Sequence, residues 1–180
     1  MKLIKTDLEG VFIIENFHAE DDRGSFTKTY HKNFFTENKL CDEFKESFYS
    51  VSQNNVIRGM HFQLPPHDHE KLVYVLRGKI IDVILDLRKD SKTYGKHISV
   101  ELSEKNCHSV YIPKGCAHGF RSLEDNSTTV YNVATMHNPE SDSGIRWNSF
   151  GFNWKTDSPI VSQKDRNLTV FKEFESINPF

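Results

Sequence analysis

The chain has 180 residues and a formal net charge of −2 at pH 7, with 37% hydrophobic and 12% aromatic residues, 14 of them Phe. That is enough apolar material for one core of ordinary size, so a single domain over residues 1–180 is expected and a disordered chain is excluded. Near-neutral charge without a Lys/Arg block argues against a nucleic-acid surface, and no apolar run approaches a membrane span. The first residues, Met1-Lys-Leu-Ile-Lys-Thr-Asp7, carry no apolar signal core. Cys41, Cys107 and Cys116 are widely spaced and form no CxxC pair, which fits a reducing cytoplasm.

The dominant period along the chain is two. Val11–Ile14, Phe48–Val51, Lys71–Leu76, Ile80–Leu87, His97–Leu102, His108–Ile112 and Thr128–Val133 are short, rich in β-branched and aromatic residues, and mostly bounded by turn residues. Leu76-Arg-Gly-Lys-Ile80 reads as a tight hairpin around Gly78. Only Lys32 to Phe44, with Phe34, Phe35 and Leu40 among polar residues, reads as helical. From Gly144 onward the chain is loop-rich, with two Trp, and is expected to pack over the strands. Many short strands at even spacing predict an all-β antiparallel sandwich or jelly-roll barrel with few helices.

One stretch concentrates chemistry. Arg58-Gly-Met-His61-Phe-Gln63 places a titrating imidazole beside an anion-binding guanidinium on what reads as a buried strand, and Lys71 follows ten residues later. Period two puts Lys71 on the face of Val73 and Val75, an awkward place for an ammonium unless a cavity is there. A jelly roll invites a test against the metal-binding cupin pattern. Pro113-Lys-Gly115-Cys-Ala-His118 supplies its second half. In the first half, Lys71 stands where a carboxylate ligand belongs and Pro65 where a histidine does. An ammonium is a donor and not a ligand, so no metal is expected. His67-Asp-His69 reads as a polar turn with solvated histidines. Asp82, Asp86 and Arg88 read as structural ion pairs.

Asp22-Arg23-Gly24-Ser-Phe26, Ile57–Gln63, Lys71-Leu-Val73, Asp82–Arg88, Ile112–Phe120, Tyr131 and Ser162-Gln-Lys164-Asp165 occur in this order. Over roughly residues 10 to 170 the chain resembles the dTDP-4-dehydrorhamnose 3,5-epimerase family, nucleotide-sugar epimerases on a cupin-type jelly roll. The resemblance implies inversion of C3, with C5 left open, in a nucleotide-linked 4-keto-hexose or 4-keto-heptose, without a cofactor. It implies His61 as base with Asp165 behind it, Lys71 at the C4 oxygen and Tyr131 as the acid on the opposite face. Arg23 and Arg58 would hold the diphosphate, Gln63 and His118 would line the cavity, and Lys164 and Phe26 would reach the nucleotide.

A homodimer is implied as well, with Arg23 and Phe26 serving the partner's site, in the biosynthesis of a capsule or lipopolysaccharide sugar. Two departures leave the substrate open among dTDP-, GDP-, CDP- and UDP-sugars. Thr135-Met136-His137-Asn138-Pro139 lacks the second aromatic pair of dual epimerases. Ser50-Val-Ser52-Gln53-Asn54-Asn55 replaces the usual lead into the arginine strand. The competing readings are a 3,4-ketoisomerase of the same fold, a non-catalytic sugar-nucleotide binding module and a metal-dependent oxygenase.

Overall fold

The computed structural model describes Met1–Phe180 throughout. Fourteen strands and three short helices follow in chain order. They are β1 (Lys2–Lys5), β2 (Phe12–Glu15), β3 (Phe17–Asp21), β4 (Gly24–Lys28), α1 (Lys32–Glu37), β5 (Glu46–Ser52), β6 (Val56–Gln63), β7 (Lys71–Arg77) and β8 (Lys79–Asp86). After these come β9 (His97–Ser103), β10 (His108–Ile112), β11 (Cys116–Ser122), β12 (Ser127–Val133), β13 (Asp142–Gly144), β14 (Ile160–Val161), α2 (Gln163–Arg166) and α3 (Phe171–Ile177). One sheet runs β1-β2-β10-β7-β12-β5 and the other β13-β6-β11-β8-β9, while β3 and β4 form a separate hairpin. Of the sandwich and jelly roll that the strand pattern allows, this is the jelly roll, of the cupin type that the resemblance implies.

Three apolar layers result. Val73, Val75, Ile80, Ile84, Phe120 and Tyr131 belong to the cluster between the two sheets. Val83, Leu85 and Leu87, of opposite parity to Ile80 and Ile84, lie in a second cluster with Trp154, Val161 and Phe174 of the C-terminal segment. Leu72 and Tyr111 meet Ile14, Phe35 and Leu40 in the third. Ile80–Leu87 is therefore covered on both faces, which is why it reads as a nearly unbroken apolar run. The C-terminal segment does pack over the strands, as expected, but it also forms α3, which the sequence reading treats as loop.

Two local expectations are corrected. Strands β7 and β8 do not pair with each other: β7 lies between β10 and β12, and β8 between β11 and β9. Gly78 is thus a corner where the chain leaves one sheet for the other. It takes a φ of +77°, and a Cβ there would lie 2.6 Å from Ser127 Oγ, so only glycine fits. Helix α1 stops at Glu37, short of Phe44, because Lys39 takes a φ of 57° that no helix continues through. Phe44 still packs edge-on against Phe35, with ring centroids 6.0 Å apart.

Candidate active site

One cavity of about 330 Å³ opens between the two sheets, and both contribute to it. From one sheet, β5 supplies Glu46, Phe48 and Ser50 at alternate positions, β12 supplies Tyr131 and Val133, and β7 supplies Lys71. The other supplies Arg58, His61 and Gln63 from β6, and His118 and Phe120 from β11. Strands β6 and β11 lie so close that a Cβ on Gly59 would sit 2.5 Å from Gly119 Cα. Glycine at both positions lets His61 and His118, partners in register, stand side by side.

His61 Nε2 lies 2.7 Å from Asp165 Oδ1. Asp165 sits on α2, whose N-cap Ser162 accepts a hydrogen bond from the Asp165 amide at 3.0 Å. The cap is therefore Ser162, and the Asp165 carboxylate is left to face His61 and to accept from the Gly59 amide at 3.2 Å. Burial by itself raises the Asp165 carboxyl, but the His61 and Gly59 hydrogen bonds and the Lys164 charge outweigh it and hold the group below its usual value. An ionised carboxylate only accepts, so Nε2 carries the proton and Nδ1 is the basic nitrogen.

Lys71 is buried, and its Nζ donates to the His61 carbonyl oxygen at 3.1 Å, across from one sheet to the other. Burial lowers its pKa to about 8, against the opposing pull of Asp82, Asp142 and Cys116. Tyr131 stacks on Phe48 at 4.9 Å, and its hydroxyl meets Ser50 Oγ at 3.1 Å. Burial raises the phenol's pKa well above the ordinary value, with Ser50 pulling weakly the other way. It stays protonated at any working pH.

His118 lies 2.6 Å from Asp82 Oδ1, and both are buried. Burial raises the Asp82 carboxyl against the lowering effects of His118 and Lys71, and Asp82 Oδ2 has no hydrogen-bond partner. The partner of Asp82 is thus His118. Arg88 pairs with Asp86 at 2.8 Å, where the expectation does hold. Parity marks Asp82 as inward-facing, since it alternates with Ile80 and Ile84 of the interior cluster.

The remaining residues divide. Arg58 donates to Ser52 Oγ at 3.0 Å and to the Val51 carbonyl at 3.2 Å, and it reaches the cavity rim. Lys164 pairs with Asp142 at the mouth. The Gln63 side chain ties loops together: its amide nitrogen donates to the His67 carbonyl at 2.8 Å and its oxygen accepts from the Asn138 amide at 2.6 Å. Arg23 and Phe26 do not reach this cavity. They lie on the exposed β3–β4 hairpin, where Arg23 pairs with Asp21 at 2.5 Å and Phe26 packs on Phe17. His69 is no solvated turn residue. It is half-buried in the cavity wall, 2.8 Å from Thr135 Oγ1, and burial, reinforced by Lys71 and Lys114, drops its pKa to about 3. Glu46, Phe48, Ser50, His69, His137 and Asp142 also line the cavity without having been assigned to it from sequence.

An imidazole backed by a carboxylate on one wall, a phenol on the other and a buried ammonium between the sheets make an acid–base enzyme on a jelly roll. Comparison with known proteins gives the kind. The family model for dTDP-4-dehydrorhamnose 3,5-epimerase matches residues 5–173. A dTDP-4-dehydrorhamnose 3,5-epimerase of Methanothermobacter thermautotrophicus is 42% identical over 177 residues, 96% of this chain and 95% of its own. The crystal structure of dTDP-4-dehydrorhamnose 3,5-epimerase from Bacillus anthracis with TDP and PPi bound superimposes with a TM-score of 0.91 at 37% identity, covering 94% of this chain and 98% of that one. That of the dTDP-6-deoxy-D-glucose-3,5-epimerase from Legionella pneumophila with dTDP-4-keto-L-rhamnose gives a TM-score of 0.92 at 30% identity, covering 98% and 95%. The chain belongs to the dTDP-4-dehydrorhamnose 3,5-epimerase family and is with it an isomerase.

Proposed function

We propose that this epimerase inverts C3 and C5 of a dTDP-linked 4-keto-6-deoxyhexose. The single observation that carries the mechanism is the placement of His61 and Tyr131 on opposing sheets of one cavity. Hydrogens on C3 and C5 flank the C4 carbonyl, so removing either as a proton gives an enolate. His61 Nδ1 takes the proton, and Asp165 stabilises the imidazolium that results. Lys71 stabilises the charge that develops on the C4 oxygen, in a buried site where an ammonium acts strongly. Tyr131 returns a proton to the opposite face, and the centre is inverted. His118, held by Asp82, lines the sugar site, Gln63 holds the 135–138 loop around it, and Lys164 stands at the nucleotide end. The known relatives support dTDP as the carrier, and Arg58 suits its diphosphate.

We further propose that the 180 residues act as one domain and as a homodimer in the cytoplasm, without a cofactor, in the supply of a surface-polysaccharide sugar. The dimer rests on the β3–β4 hairpin, whose Arg23 and Phe26 are exposed and away from their own cavity, as residues serving a partner's site would be.

The test is incubation with the dTDP-linked 4-keto-6-deoxyhexose in deuterated water, read by NMR. Deuterium at both C3 and C5 with inverted configuration is the expected result, and label at C3 alone would restrict the enzyme to that centre. A carbonyl moved to C3 would show a ketoisomerase. No exchange with dTDP-, GDP-, CDP- or UDP-linked 4-keto sugars would overturn the reading.

A further inference from the structure

A second group of reactive side chains lies outside the cavity, where the β3–β4 hairpin meets the turn between β9 and β10. Cys107 occupies that turn with a φ of 52°, and its Sγ is 3.3 Å from His18 Nδ1 on β3. His18 Nε2 is in turn 3.0 Å from Glu20 Oε1. A thiol, an imidazole and a carboxylate in series are the arrangement of an activated nucleophile: nucleophile, base and the group that orients the base. Thr27 completes it, with Oγ1 2.8 Å from His18 Nδ1 and 3.8 Å from Cys107 Sγ. A separate cavity of about 370 Å³ opens beside these residues, lined by His18, Thr27, Glu104 and Cys107 among others.

The proton positions follow from the partners. Glu20 accepts, so His18 Nε2 carries the proton and Nδ1 is the acceptor, facing the Thr27 hydroxyl at 2.8 Å and the Cys107 thiol at 3.3 Å, and it can take the proton on sulfur. Once it has done so, the imidazolium Nδ1–H donates to Thr27 Oγ1, and the Thr27 hydroxyl turns its own proton toward the thiolate. The Glu104 carbonyl, 3.2 Å from Sγ, is the competing acceptor for the thiol in its resting state. The other two cysteines have no such base. Cys41 lies against the Glu43 carbonyl at 3.4 Å, and burial raises its pKa. Cys116 is buried in the barrel interior, where burial pushes its thiol up to about 12.

We propose that Cys107 is a thiol-modification site for small disulfides, with His18 as its base. In the step, the Cys107 proton passes to His18 Nδ1 and the sulfur attacks one sulfur of the incoming disulfide. The disulfide's S–S bond breaks, a new one forms to Cys107, and the other half leaves as a thiolate. The products are one mixed disulfide and one free thiol, with no other oxidant.

The probe is the aromatic disulfide 5,5′-dithiobis(2-nitrobenzoate), added to the native full-length protein and followed by release of the coloured thiolate, with peptide mass spectrometry to locate the adduct. A fast phase of one equivalent per chain, mapping to Cys107 and absent from Cys107→Ser, is expected. Cys107→Ser retains full epimerase turnover, which shows that the fold is intact. His18→Ala slows the fast phase by roughly tenfold or more, and added free imidazole recovers part of the rate, which a purely structural role would not allow. A first adduct on Cys41 overturns the proposal. So does a Cys107 rate that is indifferent to His18→Ala in a chain that still turns over.

Discussion

At the scale of the residue, Lys71 carries the clearest consequence. Its folded pKa of about 8 stands below the ordinary lysine value of 10.5 because it is buried. Turnover therefore falls as pH rises through about 8, since a neutral amine no longer stabilises the enolate oxygen. Stability moves the other way. Between pH 8 and 10.5 the unfolded chain binds the Lys71 proton more fully than the folded chain, so this group adds stability as pH rises. From pH 8 to 9, denaturant melts of the wild type gain about 1 kcal/mol relative to those of Lys71→Met. The comparison between the two proteins cancels the buried thiol of Cys116, which acts in the opposite sense above about pH 9. A constant difference between the two melts would contradict the assignment.

Asp165 supplies a second residue-scale prediction. Asp165→Asn keeps the shape of the side chain but removes the charge that holds the His61 proton on Nε2. Turnover is expected to drop by a factor on the order of 10² to 10⁴ with little change in substrate affinity, measured as kcat against KM. Equal loss in KM alone would make Asp165 a binding residue. The inward orientation of Lys71 was legible in advance from its parity with Val73 and Val75. The placement of Asp165 behind His61 was legible only through the family resemblance, because it approaches His61 from 104 residues away and no local spacing encodes that meeting.

At the scale of the element, the corner at Gly78 shows how a correct local reading leads to a wrong connection. A glycine between two apolar strands is the signal for a hairpin, and the turn is there. What the pattern does not contain is which neighbours each strand takes. Strands β7 and β8 belong to different sheets, and the outer face of each meets a different segment: Leu72 of β7 clusters with Phe35 and Leu40, and Val83 and Leu85 of β8 with Trp154, Val161 and Phe174. Gly78→Ala forces a left-handed φ on a residue with a Cβ that would press on Ser127. A loss of about 1–3 kcal/mol in urea unfolding is expected, with turnover of the folded fraction unchanged. An unaltered midpoint would mean that Ser127 moves aside freely. The end of α1 has the same lesson, because the φ of Lys39 stops a helix whose apolar spacing continues to Phe44.

At the scale of the whole molecule, the β3–β4 hairpin stands outside both sheets. Arg23 is 89% exposed at its tip. If its arginine completes a partner's site, light scattering gives a mass near twice 20.9 kDa. An inactive Arg23→Ala chain and an inactive His61→Asn chain then recover turnover when unfolded and refolded together. Mixed dimers contain one site with both an intact His61 and an intact Arg23. A monomer, or a mixture that stays inactive, would place Arg23 elsewhere.

Period-two patterning, the length and the ordered motifs determined by themselves that this chain is a jelly roll of the epimerase family, with His61 and Lys71 facing inward. Those features are local or sequential, and alternation along a strand is enough to reveal them. Only the tertiary structure decided that Asp82 holds His118, that β7 and β8 part company at Gly78, and that Cys107 meets His18. Each of these depends on which strands become neighbours across the two sheets. That choice is made by burying both faces of every sheet at once, and no single stretch of sequence records it.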